Sequence, residues 1–266
     1  MRPIVALLTD FGTRDYYVGA VKGAVLAACP EAEIVDVTHE VPAHDVLEGA
    51  FALEAAYRAF PSRTVFVAVV DPGVGSGRRG IALEAAGYRF VGPDNGIFTF
   101  VLADHPDASV RQISNAGLFR NEVSDTFHAR DIFGPVAGHL ARGAPLDLVG
   151  SSASAPVLLS LPRVVQRGGE WEAEVLHVDR FGNLTTNLRR QELEGILAGL
   201  GQDPSGVAVV VGEKVLPLVR TYADVHEGEP CALLGSSDRL EIAVNRGSAE
   251  RLLGASRGGR IRVRRA

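Results

Sequence analysis

The stretch TVFVAVVDPGVGSGRRGIALEAAGYRFVG, Thr64 to Gly92, decides how the first half of the chain folds. It opens on an apolar run and then contains GSGRRG, Gly75 to Gly80, a literal G-x-G-x-x-G. A dinucleotide fingerprint needs a strand before the glycines and a helix after them, so that phosphate meets the helix N-terminus. The strand is present. The segment after the glycines, IALEAAGYRFVG, reads as two short strands around a turn at Ala86-Gly87 rather than as one amphipathic helix. The glycines also lie well inside the domain instead of after its first strand. The pattern therefore does not read as a phosphate cradle. Asp71, Arg78 and the glycines between them need another role.

Upstream, PIVALLTDFG is a buried strand that delivers Thr9 and Asp10 to its carboxyl end. DYYVGAVKGAVLAACP reads as a helix, with Val18, Val21, Val25 and Ala28 on one stripe and Pro30 just past its end. EIVDVTHEV is the next strand, DVLEGAFALEAAYRAFP the next helix, and TVFVAVVDPGVG the third strand. Strands alternating with helices predict parallel pairing and a sheet covered on both faces. Ligands of such sheets sit outside the carboxyl ends of the strands, where Asp10, His39 and Asp71 all fall.

After about Leu148 the texture changes. GSSASAPVLLSLPRV is rich in Ser, Ala and Pro, as a linker is. Beyond it WEAEVLHVDRFG, GVAVVVG, CALLGSS and RLEIAVN are short β-like runs, interrupted by one helix, RRQELEGILAGL. The expected plan is an α/β chain: a Rossmann-like three-layer α/β/α domain over residues 1–150, a linker over 151–165, and a smaller antiparallel β-barrel or sandwich domain over 166–266.

The 266 residues are 46% hydrophobic and carry a formal charge of -5, which argues against a dedicated nucleic-acid binder. The basic end, RGGRIRVRRA, alternates Arg with Ile and Val, as a strand with one solvated face does. Cys29 and Cys231 form no metal-spaced pair. With no cleavable signal in MRPIVALLTDFG and no apolar run long enough to span a bilayer, the chain is expected in the cytoplasm, off the membrane.

Four clusters are unusually polar for their surroundings. In TDFGTRDYY, Asp10 is either a ligand-binding carboxylate or a cap for the following helix. DPGVGSGRR is either a site or a glycine-rich turn with solvated arginines. SDTFHARDIFGPVAGHLARG reads as a loop entering a helix, with His128, Arg130 and Asp131 near its start. His128 and Asp131 supply only two metal ligands, and no further His/Glu cluster completes a set. In HVDRFGNLTTN, a strand would place Asp179, Phe181 and Asn183 on one face, able to clasp a polar aromatic molecule. A hairpin turn at Gly182-Asn183 with Asp179 as its cap is the other reading.

Taken together, TDFGTRDYYVGAVKG, VVDPGVGSGRRG, VGPDNGIFT, SDTFHARDIFGPVAGHLA, HVDRFGNLTTN and SSDRLEIAVNRGSA occur in the order and at about the spacing of one family. The chain resembles the S-adenosyl-L-methionine hydroxide adenosyltransferases, adenosine-forming hydrolases related to the fluorinase and chlorinase. The resemblance spans nearly the whole sequence. It implies that S-adenosylmethionine and water give adenosine and L-methionine, with S-adenosylmethionine as substrate and no cofactor or metal. It implies a water-holding triad of Asp71, Arg78 and His128. Asp10 resembles the carboxylate that grips the ribose diol, Asp179 the acceptor of the methionine ammonium, and Ser236 and Ser237 the loop that meets its carboxylate. Asn183 resembles the adenine reader, with backbone near Arg246 as a further contact. Phe127 and Phe181 match residues packed around the nucleoside, and Tyr222 is a candidate for stacking on adenine. Where the halogenases carry Tyr, Thr and Ser around the halide, this chain has Asp71, Val74 and Ala129, so a halogenase is the less favoured reading. A binding module without turnover is the non-enzymatic alternative. The family further implies a homotrimer whose active sites lie at the subunit interfaces.

Overall fold

The computed structural model describes residues 2–200 and 206–266. The chain divides into two compact units, Met1–Leu159 and Ser160–Ala266.

The first unit runs β1 (Ile4–Thr9), α1 (Tyr17–Ala28), β2 (Glu33–Thr38), α2 (Val46–Tyr57), β3 (Val65–Val69), β4 (Gly80–Ala85), β5 (Tyr88–Pro93), α3 (Thr99–Asp104), β6 (Ser109–Gln112) and α4 (Gly134–Ala141). Its strands form one six-stranded sheet in the order β2-β1-β3-β5-β4-β6. The expected parallel pairing holds for β2, β1, β3 and β5. β4 runs antiparallel to both β5 and β6, so the sheet is mixed. The cause is the hairpin expected at Ala86-Gly87: both residues have positive φ (51° and 80°), the backbone of a tight two-residue turn. A two-residue turn can only join antiparallel neighbours.

β1 and β3 are almost wholly apolar because alternate residues meet different cores. Val5, Leu7, Val65 and Val67 pack with Val21 and Val25 of α1 and Val136 and Leu140 of α4. Ala6, Leu8, Phe66 and Ala68 pack with Leu53 and Tyr57 of α2 and Val101 of α3. α2 begins at Asp45, whose carboxylate accepts from Glu48 N at 3.0 Å. The Ser/Ala/Pro-rich segment beyond Gly150 lies along this unit: Ala153 N donates to Val110 O (3.0 Å), Val157 N to Asp94 Oδ1 (2.8 Å) and Leu159 N to Thr99 Oγ1 (2.9 Å).

The second unit contains β7 (Val165–Arg167), β8 (Glu170–Val178), β9 (Leu184–Arg189), α5 (Arg190–Leu200), β10 (Val207–Val211), β11 (Lys214–Leu216), β12 (Pro230–Leu234), β13 (Arg239–Val244), α6 (Ala249–Leu253) and β14 (Arg260–Arg265). Its antiparallel sheet runs β11-β10-β14-β8-β9-β13-β12, with β7 paired to β8. The chain leaving β11 meets β12 at the far end of that order. Val219 N donates to Ala232 O (2.8 Å) and Ala232 N to Pro217 O (2.9 Å), so the sheet nearly closes on itself like a barrel. β14 has the alternation read from RIRVRR: Ile261 and Val263 are fully buried, and Arg260, Arg262 and Arg264 take the other face.

Candidate active site

β1 and β3 are parallel neighbours in register, Thr9 against Val69, so the residues just past their carboxyl ends emerge side by side. Asp10 comes directly after β1. It does not cap α1, whose N-cap is Tyr16; instead its Oδ2 accepts from His44 N at 2.9 Å. Asp71 lies just beyond β3. Arg78, seven residues on, folds back to grip it with two parallel bonds, Nε to Oδ1 at 2.8 Å and Nη2 to Oδ2. This is the bidentate fork that a guanidinium offers a carboxylate. The pair is buried, with 6% of the Asp71 and 11% of the Arg78 side chain exposed. Arg78 therefore does not lie in solvent, as the glycine-rich turn reading required.

The same Arg78 Nη2 lies 2.9 Å from His128 Nδ1. A guanidinium only donates, so Nδ1 is the acceptor and the imidazole proton sits on Nε2. Burial, and then the charge of Arg78, push the His128 pKa below its ordinary value, against the opposing pull of Asp71. His128 is thus neutral at neutral pH. The glycines make this triangle possible. Gly75 has φ of 76°, and a Cβ there would run into the backbone carbonyl of Asp125. The Asp71–Arg78 loop lies flat against the segment that carries His128. No helix comes after the glycines; β4 does, so GSGRRG is no phosphate cradle.

Asp71 and His128 share a cavity of about 190 Å³ with Phe11, Tyr17, Val69, Val74, Thr126, Phe127 and Ala129. Phe127 is buried in its wall, with Arg130 over its ring at 4.9 Å. Arg130 also clasps Asp131, at 2.6 and 2.8 Å, and Ser124 N donates to that carboxylate at 2.9 Å. Asp131 is therefore a fully buried structural carboxylate. Among the described residues no group of three or more His, Cys, Asp or Glu is arranged to hold a metal.

In the second unit the stretch from Asp179 to Asn183 is a turn joining β8 to β9, and the strand reading fails. Asp179 Oδ1 accepts from Phe181 N (2.9 Å) and Asn183 N (2.8 Å), and its Oδ2 from Asn183 Nδ2 (3.1 Å). A short carboxylate that satisfies turn amides outcompetes continued extension. Asp179 and Asn183 are thus in contact, while Phe181 projects from the turn with 74% of its surface exposed. Ser236 and Ser237 occupy the turn between β12 and β13, and Arg246 the turn after β13, with Nη1 3.1 Å from Glu227. Tyr222 opens a single 3-10 turn, and its hydroxyl donates to Glu241 Oε1 at 2.7 Å. Burial raises the Glu241 carboxyl above its ordinary range.

Several of these neighbours escape a reading of the sequence. Glu241 is a buried charge in the middle of RLEIAV, a signal that is visible there. Phe11 and Tyr17 stand inside the motif TDFGTRDYYVGAVKG, but nothing local marks an aromatic residue as a cavity wall.

The chain matches the SAM hydroxide adenosyltransferase N-terminal domain over residues 5–150 and the C-terminal domain over residues 173–262. It belongs to that family. It is 41% identical to the (R)-S-adenosyl-L-methionine hydrolase of Thermus thermophilus, over 99% of this chain and 100% of that one. It is 32% identical to a fluorinase of Actinoplanes, covering 91% of each chain. A crystal structure of an uncharacterized conserved protein from Thermotoga maritima superposes with a TM-score of 0.91 at 37% identity, covering 98% of this chain and all of that one.

Proposed function

We propose that the protein hydrolyses S-adenosyl-L-methionine to adenosine and L-methionine, water attacking the ribose 5′ carbon from a site held by Asp71, Arg78 and His128. The observation that carries this reading is the Asp71–Arg78–His128 network in the wall of a small, largely apolar cavity. The sulfonium makes the 5′ carbon electrophilic and leaves as a neutral thioether, so no acid is needed for the leaving group. Water, a weak nucleophile, is what limits the step. Holding it in line with the C–S bond supplies roughly 7–11 kcal/mol in favourable systems.

The network also supports a reading of where the proton goes. Arg78 stays protonated, and the one lone pair of neutral His128 is taken by Arg78. Asp71 keeps two acceptor sites beyond those that Arg78 occupies, so Asp71 receives the proton as the new C–O bond forms. The hydrolase relatives carry the (R) epimer in their name, and we extend that stereochemistry to this chain. No cofactor or metal enters this scheme.

Substrate recognition is assigned from the family resemblance: Asp10 for the ribose diol, Asn183 and backbone near Arg246 for adenine, Asp179 for the ammonium, Ser236 and Ser237 for the carboxylate. Phe127, Phe181 and Tyr222 pack about the nucleoside, and the bond to Glu241 fixes the Tyr222 ring. Incubation of the protein with the (R) and (S) epimers, with and without chloride, tests the reading. Adenosine released without chloride supports hydrolysis, 5′-chloroadenosine marks a halogenase, and unchanged substrate marks a binding module.

The assigned residues fall in both compact units, and the assembly we propose is a cytoplasmic homotrimer with three sites shared between subunits. No helix among the described residues is long and apolar enough to cross a membrane. Co-expression of Asp71→Asn chains with Asn183→Ala chains should restore part of the activity each lacks alone. Mixed oligomers as inactive as either parent would refute shared sites.

A further inference from the structure

We infer that Phe11 and Tyr17 bind the sulfonium of the substrate through their ring faces, and that they do so in place of a carboxylate. The inference rests on the hydrolase reading, because the cation concerned is the sulfonium of that substrate. Phe11 and Tyr17 line the cavity that holds Asp71 and His128. Phe11 stands 5.9 Å from Tyr17 at 54°, and both rings meet Phe127 nearly edge-on, at 6.0 and 5.2 Å. The three rings form an aromatic corner. Arg130 already sits over the Phe127 ring and Tyr16 lies against Tyr17 at 4.6 Å and 31°, which leaves the Phe11 ring and the Tyr17 face turned away from Tyr16 for a ligand.

A water on Asp71 attacks from about 3–3.5 Å, and the sulfur lies beyond the carbon on the same line, roughly 5 Å from the water. At that distance the charged sulfur lies within reach of the cavity walls. Asp71 is the one carboxylate among the described residues that line it, and the fork of Arg78 offsets its charge. Beyond that pair the lining offers the Thr126 hydroxyl and the ring faces, and the aromatic quadrupole is the device by which onium ligands are recognised.

The arrangement also suits the reaction. The positive charge disappears as the C–S bond breaks, so any group that stabilises it strongly favours substrate over transition state and slows the step. A carboxylate against the sulfonium would act in that way. Ring faces hold the cation more weakly and forfeit less when it becomes a thioether.

The test compares S-adenosylmethionine with S-adenosylhomocysteine, the neutral thioether. Initial rates give KM for the first and Ki for the second as a competitor, on the full-length active protein. In Phe11→Leu and Tyr17→Leu the ratio of KM to Ki should rise roughly 2- to 30-fold, equivalent to ~0.5–2 kcal/mol, without a fall in kcat. Phe11→Tyr and Tyr17→Phe, which keep the ring, should keep the ratio. Tyr17 is 38% exposed, so its substitution carries the test even if Phe11→Leu fails to fold. Leucine variants that weaken both ligands by the same factor, or neither, would overturn the inference and leave the hydrolase reading intact. A wild-type protein that releases no adenosine would overturn both.

Discussion

Replacing Asp71 by Asn separates holding the water from holding the nucleoside. Asn keeps the shape of the side chain but turns one acceptor into a donor that faces the donors of Arg78. Both side chains are nearly buried, so the change leaves a guanidinium without its counter-charge in a dry site. Breaking such a pair costs roughly 3–5 kcal/mol, and the retained amide oxygen places this case at about 3 kcal/mol. For a chain of this size that lowers Tm by roughly 6–12 °C. The catalytic loss comes from a different source. Without the carboxylate no group of the triad can take the proton, and removal of a positioned general base costs about 10²–10⁴ in rate. Substrate affinity should stay within a few-fold, because Asp71 is assigned to water. Chromatographic measurement of adenosine gives kcat, calorimetry gives affinity, and thermal unfolding gives the stability. If Asp71→Asn abolished binding while Asp10→Ala left it intact, the roles given to the two carboxylates would be wrong.

Asp10→Ala should raise KM by roughly 10- to 100-fold, the loss of a charge-assisted contact to the diol of about 1.5–3 kcal/mol, with the smaller effect on kcat. A KM unchanged from wild type would remove Asp10 from the ribose site. The neutral form of His128 accepts from Arg78, and its folded pKa is lowered, so activity is present above that pKa and lost as pH falls through it; the acid limb of kcat/KM should lie below 6.5. A limb at or above 6.5, or one that persists in His128→Gln, would exclude His128 as its origin. Gly75→Ala forces a side chain against the Asp125 carbonyl at a positive φ and should cut kcat at least tenfold at little changed KM; a fully active variant would show that the close approach is dispensable. A chelator should leave the rate unchanged, and strong inhibition reversed by zinc or magnesium would bring back a metal reading of His128 and Asp131.

What the sequence disclosed depended on how local the cause was. The hairpin at Ala86-Gly87, the strand RIRVRR and the apolar runs of β1 and β3 arise from turn chemistry and periodicity within a few residues. The mixed sheet is a consequence of that hairpin, yet counting helices between strands pointed to parallel pairing alone. At Asp179 the sequence favours alternation over capping, and three hydrogen bonds to one carboxylate decide for the turn. The bond from Arg78 to His128 joins residues fifty apart, and no period or spacing reports such a contact. The family resemblance did, because it carries tertiary information that the residues alone do not.

The motif VGPDNGIFT shows how much support a reactive loop needs beyond its reacting groups. Asp94 and Asn95 come directly after β5, the parallel neighbour of β3, and so emerge beside the loop that begins at Asp71. Asn95 Nδ2 donates to Val70 O at 2.8 Å and pins the residue before Asp71. Asp94 Oδ2 accepts from Arg79, Nε at 2.9 Å and Nη2 at 2.5 Å, and pins the residue after Arg78. Its other oxygen accepts from Val157 N, and Arg79 reaches on to Ser154 O and Ala155 O. Two consecutive side chains thus hold the two ends of the 71–78 loop, and Gly75 fits its middle against Asp125. A loop fixed at three points loses little entropy when the Asp71–Arg78 fork closes. That is why so glycine-rich a segment can keep a carboxylate, a guanidinium and an imidazole in one geometry.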